Sequence, residues 1–186
     1  PDRRGSGILA VCLREPQTAR WRPGALGAPA RTPEATISAL ASAIDATVTS
    51  TGLSTRFVAL DPAADHRLHC QVAERMVTPA DTHRPTLDGL LAEFADVEVV
   101  ATMRYHGAVA AALGGATVTT LSLSPKLAAL AGDLGPAATH AAGPGDIPRA
   151  VAEALAGNRY LAGAVERLIE LARGNISALD DLFGGS

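Results

Sequence analysis

The sequence is poor in aromatic residues and cysteine, and it has no long apolar run. Aromatic side chains make up only 3% of the 186 residues, so Ala, Leu and Val must fill the core, which suits strands sandwiched between small-residue helices. Two cysteines, Cys12 and Cys70, are too few for a disulfide framework or a four-thiolate metal site. No apolar run approaches the roughly 18 residues that span a bilayer, and the first residues show no signal-peptide pattern. We therefore expect a cytoplasmic location, with peripheral association at the inner membrane face as an alternative.

The charge is low and evenly spread. The formal net charge is −3, with no block of like charges and no basic stripe interleaved with aromatic residues. A nucleic-acid partner would require such a stripe, so none is expected. No Gly-x-Gly-x-x-Gly follows the first predicted strand, and the dinucleotide-binding fingerprint is therefore missing. An anionic ligand would have to be held by local positive charge.

Strand and helix patterns alternate along the chain. Apolar or β-branched runs predict strands at residues 7–13, 54–60, near Val77, 97–102, 117–123 and 137–142. Helical spacing predicts helices at 33–52, 65–76, 87–94, 106–113, 125–134 and throughout 146–183. This alternation predicts a single domain over residues 1–186. Its fold class is α/β, with a Rossmann-like, doubly wound, mostly parallel sheet and helices on both faces.

Segments outside these elements are few. Residues 15–32 contain the only Trp, at position 21, and are rich in Pro and Gly, so they are predicted to form a long loop after the first strand. The final Gly184-Gly185-Ser186 is compatible with a cloning remnant. In a doubly wound sheet, ligands bind outside the carboxyl ends of the strands. Candidate site residues are therefore sought just after the predicted strands.

The most specific group of candidate site residues follows the predicted strand 97–102. There Arg104 and His106 stand where a helix of small residues begins. A guanidinium at this position can grip a phosphate or carboxylate with two hydrogen bonds, and the helix N-terminus favours the same anion. His106 could transfer a proton near neutral pH. The alternative on chemistry alone is that Arg104 pairs with an acid and His106 bonds to backbone.

The surrounding segment contains VVATMRYHGAVAAALGGA at 99–116 and LSLSPK at 121–126. It resembles the polysaccharide pyruvyl transferase family, which has an Arg-x-His at a strand-to-helix turn, an Ala-rich helix, a Gly-containing turn, a strand and a segment ending in Pro-Lys. The resemblance extends upstream to Arg14, which looks like the family's Arg at the end of the first strand, and downstream to the helical tail. Two positions depart from the pattern: Tyr105 stands where Leu is usual, and Ser124 replaces an acidic residue.

The resemblance implies a site and a reaction. His106 would be the catalytic proton-transfer group, and phosphoenolpyruvate would be bound by the residues Arg14, Arg104, Tyr105 and Lys126. The reaction would transfer a pyruvyl group from phosphoenolpyruvate to sugar hydroxyls of a polysaccharide or its precursor. No cofactor or metal is expected, since phosphoenolpyruvate is itself the donor. Arg14 could otherwise be a solvated loop residue, and Lys126 an exposed residue in the first turn of a helix.

Asp65 and Ser122 are further candidates for orienting the site or contacting the acceptor. Asp65 is predicted to cap the helix that follows it, and near the crevice it could also hold a sugar hydroxyl or orient His106. His66 and His69 share a helix face beside Cys70, but no third and fourth ligand has matching spacing. A metal site is therefore not predicted there.

The chain is about half as long as a twin-Rossmann enzyme of this kind requires. We therefore expect it to be the C-terminal, donor-binding half, with the acceptor-binding N-terminal half absent from this chain. Two other functions fit the same sheet. One is the donor-binding domain of a sugar-nucleotide-dependent glycosyltransferase, and the other is a non-catalytic binding domain.

Overall fold

A computed structural model describes residues 7–14, 32–86, 88–121, 125–157 and 161–170. The predicted loop over 15–31, Ser122 and everything from residue 171, including Gly184-Gly185-Ser186, lie outside the described residues. Among the described helices, none is both long and apolar enough to cross a bilayer.

The centre of the molecule is a six-stranded sheet. Its strands are β1 (Ile8–Cys12), β2 (Ser54–Val58), β3 (Ala80–His83), β4 (Val99–Thr102), β5 (Thr117–Leu121) and β6 (Ala138–Ala141). The strand order is β3-β2-β1-β4-β5-β6, and every neighbouring pair is parallel. All six carboxyl ends therefore lie at one edge, which confirms the predicted doubly wound α/β fold.

Helices cover both faces of the sheet. They are α1 (Pro33–Thr51), α2 (Pro62–Ala73), α3 (Leu90–Phe94), α4 (Tyr105–Gly114), α5 (Pro125–Leu134), α6 (Ile147–Gly157) and a helix, α7, over 161–170. Along β1, Leu9 and Val11 pack with the core under α1, α2 and α6, whereas Ala10 and Cys12 pack with the core under α3, α4 and α5. This alternation buries both faces of the strand, which explains why its sequence is continuously apolar.

The segment around Val77 is a loop, and the short strand predicted near it lies a few residues further along, at Ala80–His83. Val77 is 92% exposed, and the carboxylate of Asp45 accepts the N–H groups of Val77 (2.8 Å) and Thr78 (2.9 Å). Partial burial raises the pKa of Asp45, but a bond from the Thr78 hydroxyl (2.6 Å) together with these two N–H bonds outweighs it, so the pKa is lowered. The two N–H groups are donors that a strand would need. The strand β3 therefore begins only at Ala80, opposite Thr55.

The second helix begins earlier than predicted, and Asp65 is not its cap. Asp61 is the N-cap, with its side chain accepting the N–H of Ala64, and Pro62 follows at the first helical position. A proline after an aspartate is a strong start signal, which places Asp65 inside the first turn. The helix ends at Ala73 rather than near Met76.

The helical region predicted after residue 146 is described in two stretches. A 3₁₀ turn spans Pro144–Asp146, α6 covers Ile147–Gly157, and a helix covers 161–170, so the described residues from 147 onward are helical as predicted. The remainder of the predicted tail falls outside the described residues.

Close packing at the end of α6 leads to a stability prediction. A Cβ at Gly157 would lie well inside van der Waals contact with the carbonyl oxygen of Pro136. Because that atom is backbone, Gly157→Ala should lower the free energy of unfolding by about 1–3 kcal/mol. Gly132→Ala is the matched control, since nothing lies within 4 Å of its Cβ position in α5, and it should raise stability by up to about 1 kcal/mol. Urea denaturation of both variants measures the effect, and equal stability of the two would contradict this packing.

Candidate functional site

A cleft of about 210 Å³ opens at the carboxyl edge of the sheet. Its lining residues come from the ends of β2 and β3, from α3 and from the β4–α4 turn: Leu60, Pro85, Thr86, Leu90, Arg104 and His106. The walls are largely apolar, and the polar groups come mainly from the β4–α4 turn. This is the position at which a doubly wound sheet binds ligands.

The β4–α4 turn is held by Thr102. Its hydroxyl accepts the N–H of Arg104 (2.9 Å) and donates to the carbonyl oxygen of Arg104 (3.1 Å). Gly107 allows α4 to pack closely here, since a Cβ would lie 2.7 Å from Leu60 Cδ1 and 2.9 Å from Thr102 Oγ1. The backbone that carries Arg104 and His106 is therefore fixed by local contacts.

Arg104 is paired with a buried carboxylate. Its Nη2 donates to Asp65 Oδ1, and Asp61 Oδ2 lies 4.0 Å away. The Asp65 side chain is 1% exposed, and its other oxygen accepts the N–H of Asp61 at 2.9 Å. The acid pairing that the sequence left open as an alternative is thus present. Arg104 nevertheless stays 20% exposed and lines the cleft, so one end of the guanidinium is held while the residue still faces the ligand position.

Asp65 therefore contacts Arg104, and its burial separates it from solvent and from any sugar in the cleft. Both of its oxygens have partners within the protein. The role in the site that this geometry supports is orientation of Arg104 rather than of His106.

Tyr105 and His106 begin α4 and are exposed. Their rings meet edge to face, with centroids 5.8 Å apart at 89°. Of the two, His106 lines the cleft. No side chain of the described residues caps the N-terminus of α4, so its first N–H groups can face an anion in the cleft.

Arg14 and Lys126 lie at the same edge of the sheet. The N–H of Met103 bonds the carbonyl oxygen of Cys12 (2.9 Å), so Arg14 and Arg104 follow adjacent strands. Lys126 stands in the first turn of α5, after β5 on the other side of β4. Both are exposed, and neither belongs to the lining of the cleft formed by described residues. Whether they share a ligand with Arg104 stays a prediction.

His69 is a residue of this region that the sequence reasoning weighed only as a metal ligand. It is fully buried, and its ring stacks on Phe57 at 5.1 Å. Its Nε2 contacts the main chain of Leu13, 3.0 Å from the N–H nitrogen and 3.2 Å from the carbonyl oxygen, and the ring tautomer decides which of the two it bonds. Burial lowers its pKa to about 4, so the ring is neutral near pH 7. The sequence contained one signal for this placement: His69 lies four residues after Asp65, and residues four apart on a helix share a face.

The neighbouring His66 contacts side chains outside this group. Its Nε2 lies 3.6 Å from Cys70 Sγ, and it contacts Arg84. Within the described residues, no group of three or more His, Cys, Asp or Glu side chains is arranged to hold a metal ion.

Comparisons with known proteins show the fold. No family model matches the sequence, and no curated protein matches it. A glycosyltransferase from Rickettsia africae aligns with a TM-score of 0.62 and 8% identity over 100% of this chain and 50% of that one. TarM from S. aureus, whose structure contains UDP, gives 0.59 and 11% over 91% of this chain and 34% of that one. Os79 from O. sativa in complex with UDP gives 0.56 and 10% over 87% and 36%. The chain thus spans half or less of each protein, and it has the fold of one Rossmann-like half of a twin-Rossmann glycosyltransferase.

Proposed function

We propose that this chain is the donor-binding half of a polysaccharide pyruvyl transferase and that its donor is phosphoenolpyruvate. The observation that carries the proposal is the cleft at the carboxyl edge of the sheet, where Arg104 and His106 stand together. These two residues form the Arg-x-His turn through which the sequence resembles that family. A guanidinium, a titratable imidazole and an uncapped helix N-terminus are the groups that an anionic, proton-accepting donor requires.

The proposed reaction converts an enol phosphate into a cyclic ketal. One sugar hydroxyl adds to the central carbon of phosphoenolpyruvate while the methylene carbon takes up a proton from the protein and becomes a methyl group. The proton released by this hydroxyl returns to the group that gave up the first one. The second hydroxyl then bonds to the same carbon, the carbon–oxygen bond to phosphate breaks, and the hydroxyl proton leaves with the phosphate. The chemistry requires a proton donor beside the methylene and a cationic clamp on the phosphate and carboxylate.

Each candidate residue has one part in this reaction. The phosphate and carboxylate are bound by Arg14 and by Arg104, whose guanidinium is held by Asp65, and the N-terminus of α4 adds its N–H groups. His106 gives the proton to the methylene carbon. Tyr105 and Lys126 contribute to donor binding from the rim. The acceptor side of the site belongs to the partner half that this chain does not include.

A second candidate is a sugar-nucleotide donor domain. The observation that favours it is structural likeness, since TarM and Os79 contain UDP in the structures that this chain resembles. Because likeness at 10 or 11% identity concerns the fold alone, the site residues must decide between the two donors.

Calorimetric titration of the chain with phosphoenolpyruvate and with UDP-glucose separates the candidates. We expect phosphoenolpyruvate to bind and Arg14→Ala to weaken it by roughly 10-fold or more, because a hydrogen bond to a charged group contributes about 1.5–3 kcal/mol. Arg149→Ala is the matched control, since Arg149 is an exposed arginine on α6 paired with Glu153. Binding of UDP-glucose without phosphoenolpyruvate would favour the second candidate, and binding of neither would leave a non-catalytic domain.

A further inference from the structure

Helix α2 buries two ionisable side chains one turn apart. Asp65 and His69 are both fully buried in a helix of 12 residues. Burying polar groups is costly unless each finds a partner. The partners of this pair lie at the ends of two different strands, and those strands lead to the two arginines of the proposed site.

His69 holds the end of β1. The strand ends at Cys12, and the next residue, Leu13, is buried with its main chain against His69 Nε2, at 3.0 Å from the N–H nitrogen and 3.2 Å from the carbonyl oxygen. The imidazole is itself fixed by stacking on Phe57 in β2. The main chain at Leu13 is therefore anchored immediately before Arg14.

Asp65 holds the end of β4. Its carboxylate accepts from Arg104 at one oxygen and from the N–H of Asp61 at the other. One face of α2 thus touches both strand ends that carry a candidate arginine. The two ends are adjacent in the sheet, since Cys12 pairs with Thr102.

We propose that His69 is a positioning residue for donor binding, which fixes the main chain at Leu13 so that Arg14 is presented beside the Arg104 that Asp65 holds. The inference rests on the proposed function of Arg14 in binding the donor. The physical reason is preorganisation: an arginine whose backbone is fixed loses less conformational freedom when the ligand binds.

Two substitutions at His69 separate its acceptor from its bulk. His69→Phe keeps a ring that can stack on Phe57 but removes the acceptor, and His69→Gln restores an acceptor where Nε2 lies. Each is made in the natural background and in the Arg14→Ala background, and phosphoenolpyruvate affinity is measured by calorimetry. Thr47→Val is the control, because Thr47 is equally buried and its hydroxyl donates to the carbonyl oxygen of Ala43 within α1.

His69→Phe should weaken phosphoenolpyruvate binding by roughly threefold to tenfold, because the long side chain of Arg14 would no longer be held in place before the ligand binds. The glutamine variant should recover affinity to within about twofold of the parent. With Arg14→Ala already present, His69→Phe should cause no further loss, because it acts through Arg14. Thr47→Val should leave affinity unchanged.

An equal loss in both backgrounds, or no loss in either, would overturn the proposal. A ligand-free measurement keeps this separate from the proposed function: amide hydrogen exchange at Leu13, followed by NMR, should be faster in His69→Phe than in the parent. If the parent binds UDP-glucose instead of phosphoenolpyruvate, the donor assignment is wrong, and the affinities of the same variants are then measured with UDP-glucose. If Leu13 exchange does not change, or the parent binds neither ligand, the positioning role is wrong.

Discussion

Replacing Arg104 by alanine should lower the free energy of unfolding by about 3–5 kcal/mol, because the buried Asp65 carboxylate would lose its charged partner. Asp65 is 1% exposed and cannot turn to solvent without moving the start of α2. Its remaining bond, from the N–H of Asp61, does not neutralise the charge. Urea denaturation at pH 7 measures the effect.

Two further variants test the cause of this loss. Adding Asp65→Asn to Arg104→Ala should recover part of the lost stability, since the double variant buries no unpaired charge. Arg149→Ala should leave the free energy of unfolding nearly unchanged, because its ion pair with Glu153 is exposed on both sides. A double variant less stable than Arg104→Ala alone would show that the pair contributes through packing rather than charge.

Acidification should cost the protein about 3 kcal/mol through His69 alone. The folded-state pKa of this residue is lowered from 6.5 to about 4, chiefly by burial, and each unit of difference corresponds to about 1.4 kcal/mol. Below pH 6.5 the unfolded chain binds a proton that the folded chain does not, so the free energy of unfolding falls as the pH drops. The loss is complete near pH 4, where folded His69 also becomes protonated.

His69→Gln isolates this contribution from the carboxylates that titrate in the same range. Glutamine preserves an acceptor for Leu13 but binds no proton, so the variant should lose about 3 kcal/mol less than the parent between pH 7 and pH 4. Urea unfolding at several pH values in this window gives both curves. Parallel curves would mean that His69 titrates normally in the folded protein and is not sealed from water.

The fold could be predicted from sequence because its signals are local. The apolar runs of β1, β4 and β5 and the Thr32-Pro33 start of α1 each specify one element, and parallel topology follows from their alternation. The start of β3 was misplaced for a different reason, because a distant side chain determines it. The carboxylate of Asp45 accepts the N–H groups of Val77 and Thr78, and these bonds keep Val77 out of the sheet. The residues next to Val77 in the sequence do not indicate this contact.

The candidate site was predictable in part for the same reason. Arg104 and His106 follow the clearest strand, and the strand-end rule places them at the cleft. The buried residues behind the site were harder to predict, because Asp65 contacts Arg104 across 39 positions in the chain and His69 contacts Leu13 across 56. A helix that buries an acid and a histidine one turn apart is the pattern that sequence reasoning should have related to the strand ends.

The strand order also has a consequence for synthesis. β1 is made first, yet it lies inside the sheet, between β2 and β4. Leu9 pairs with Val99, so one edge of β1 stays without its neighbour until most of the described chain has left the ribosome. During that time an apolar strand with open hydrogen-bonding groups is exposed to other nascent chains. We therefore expect a chain interrupted before β4 to be left with an unpaired strand edge that is prone to aggregation.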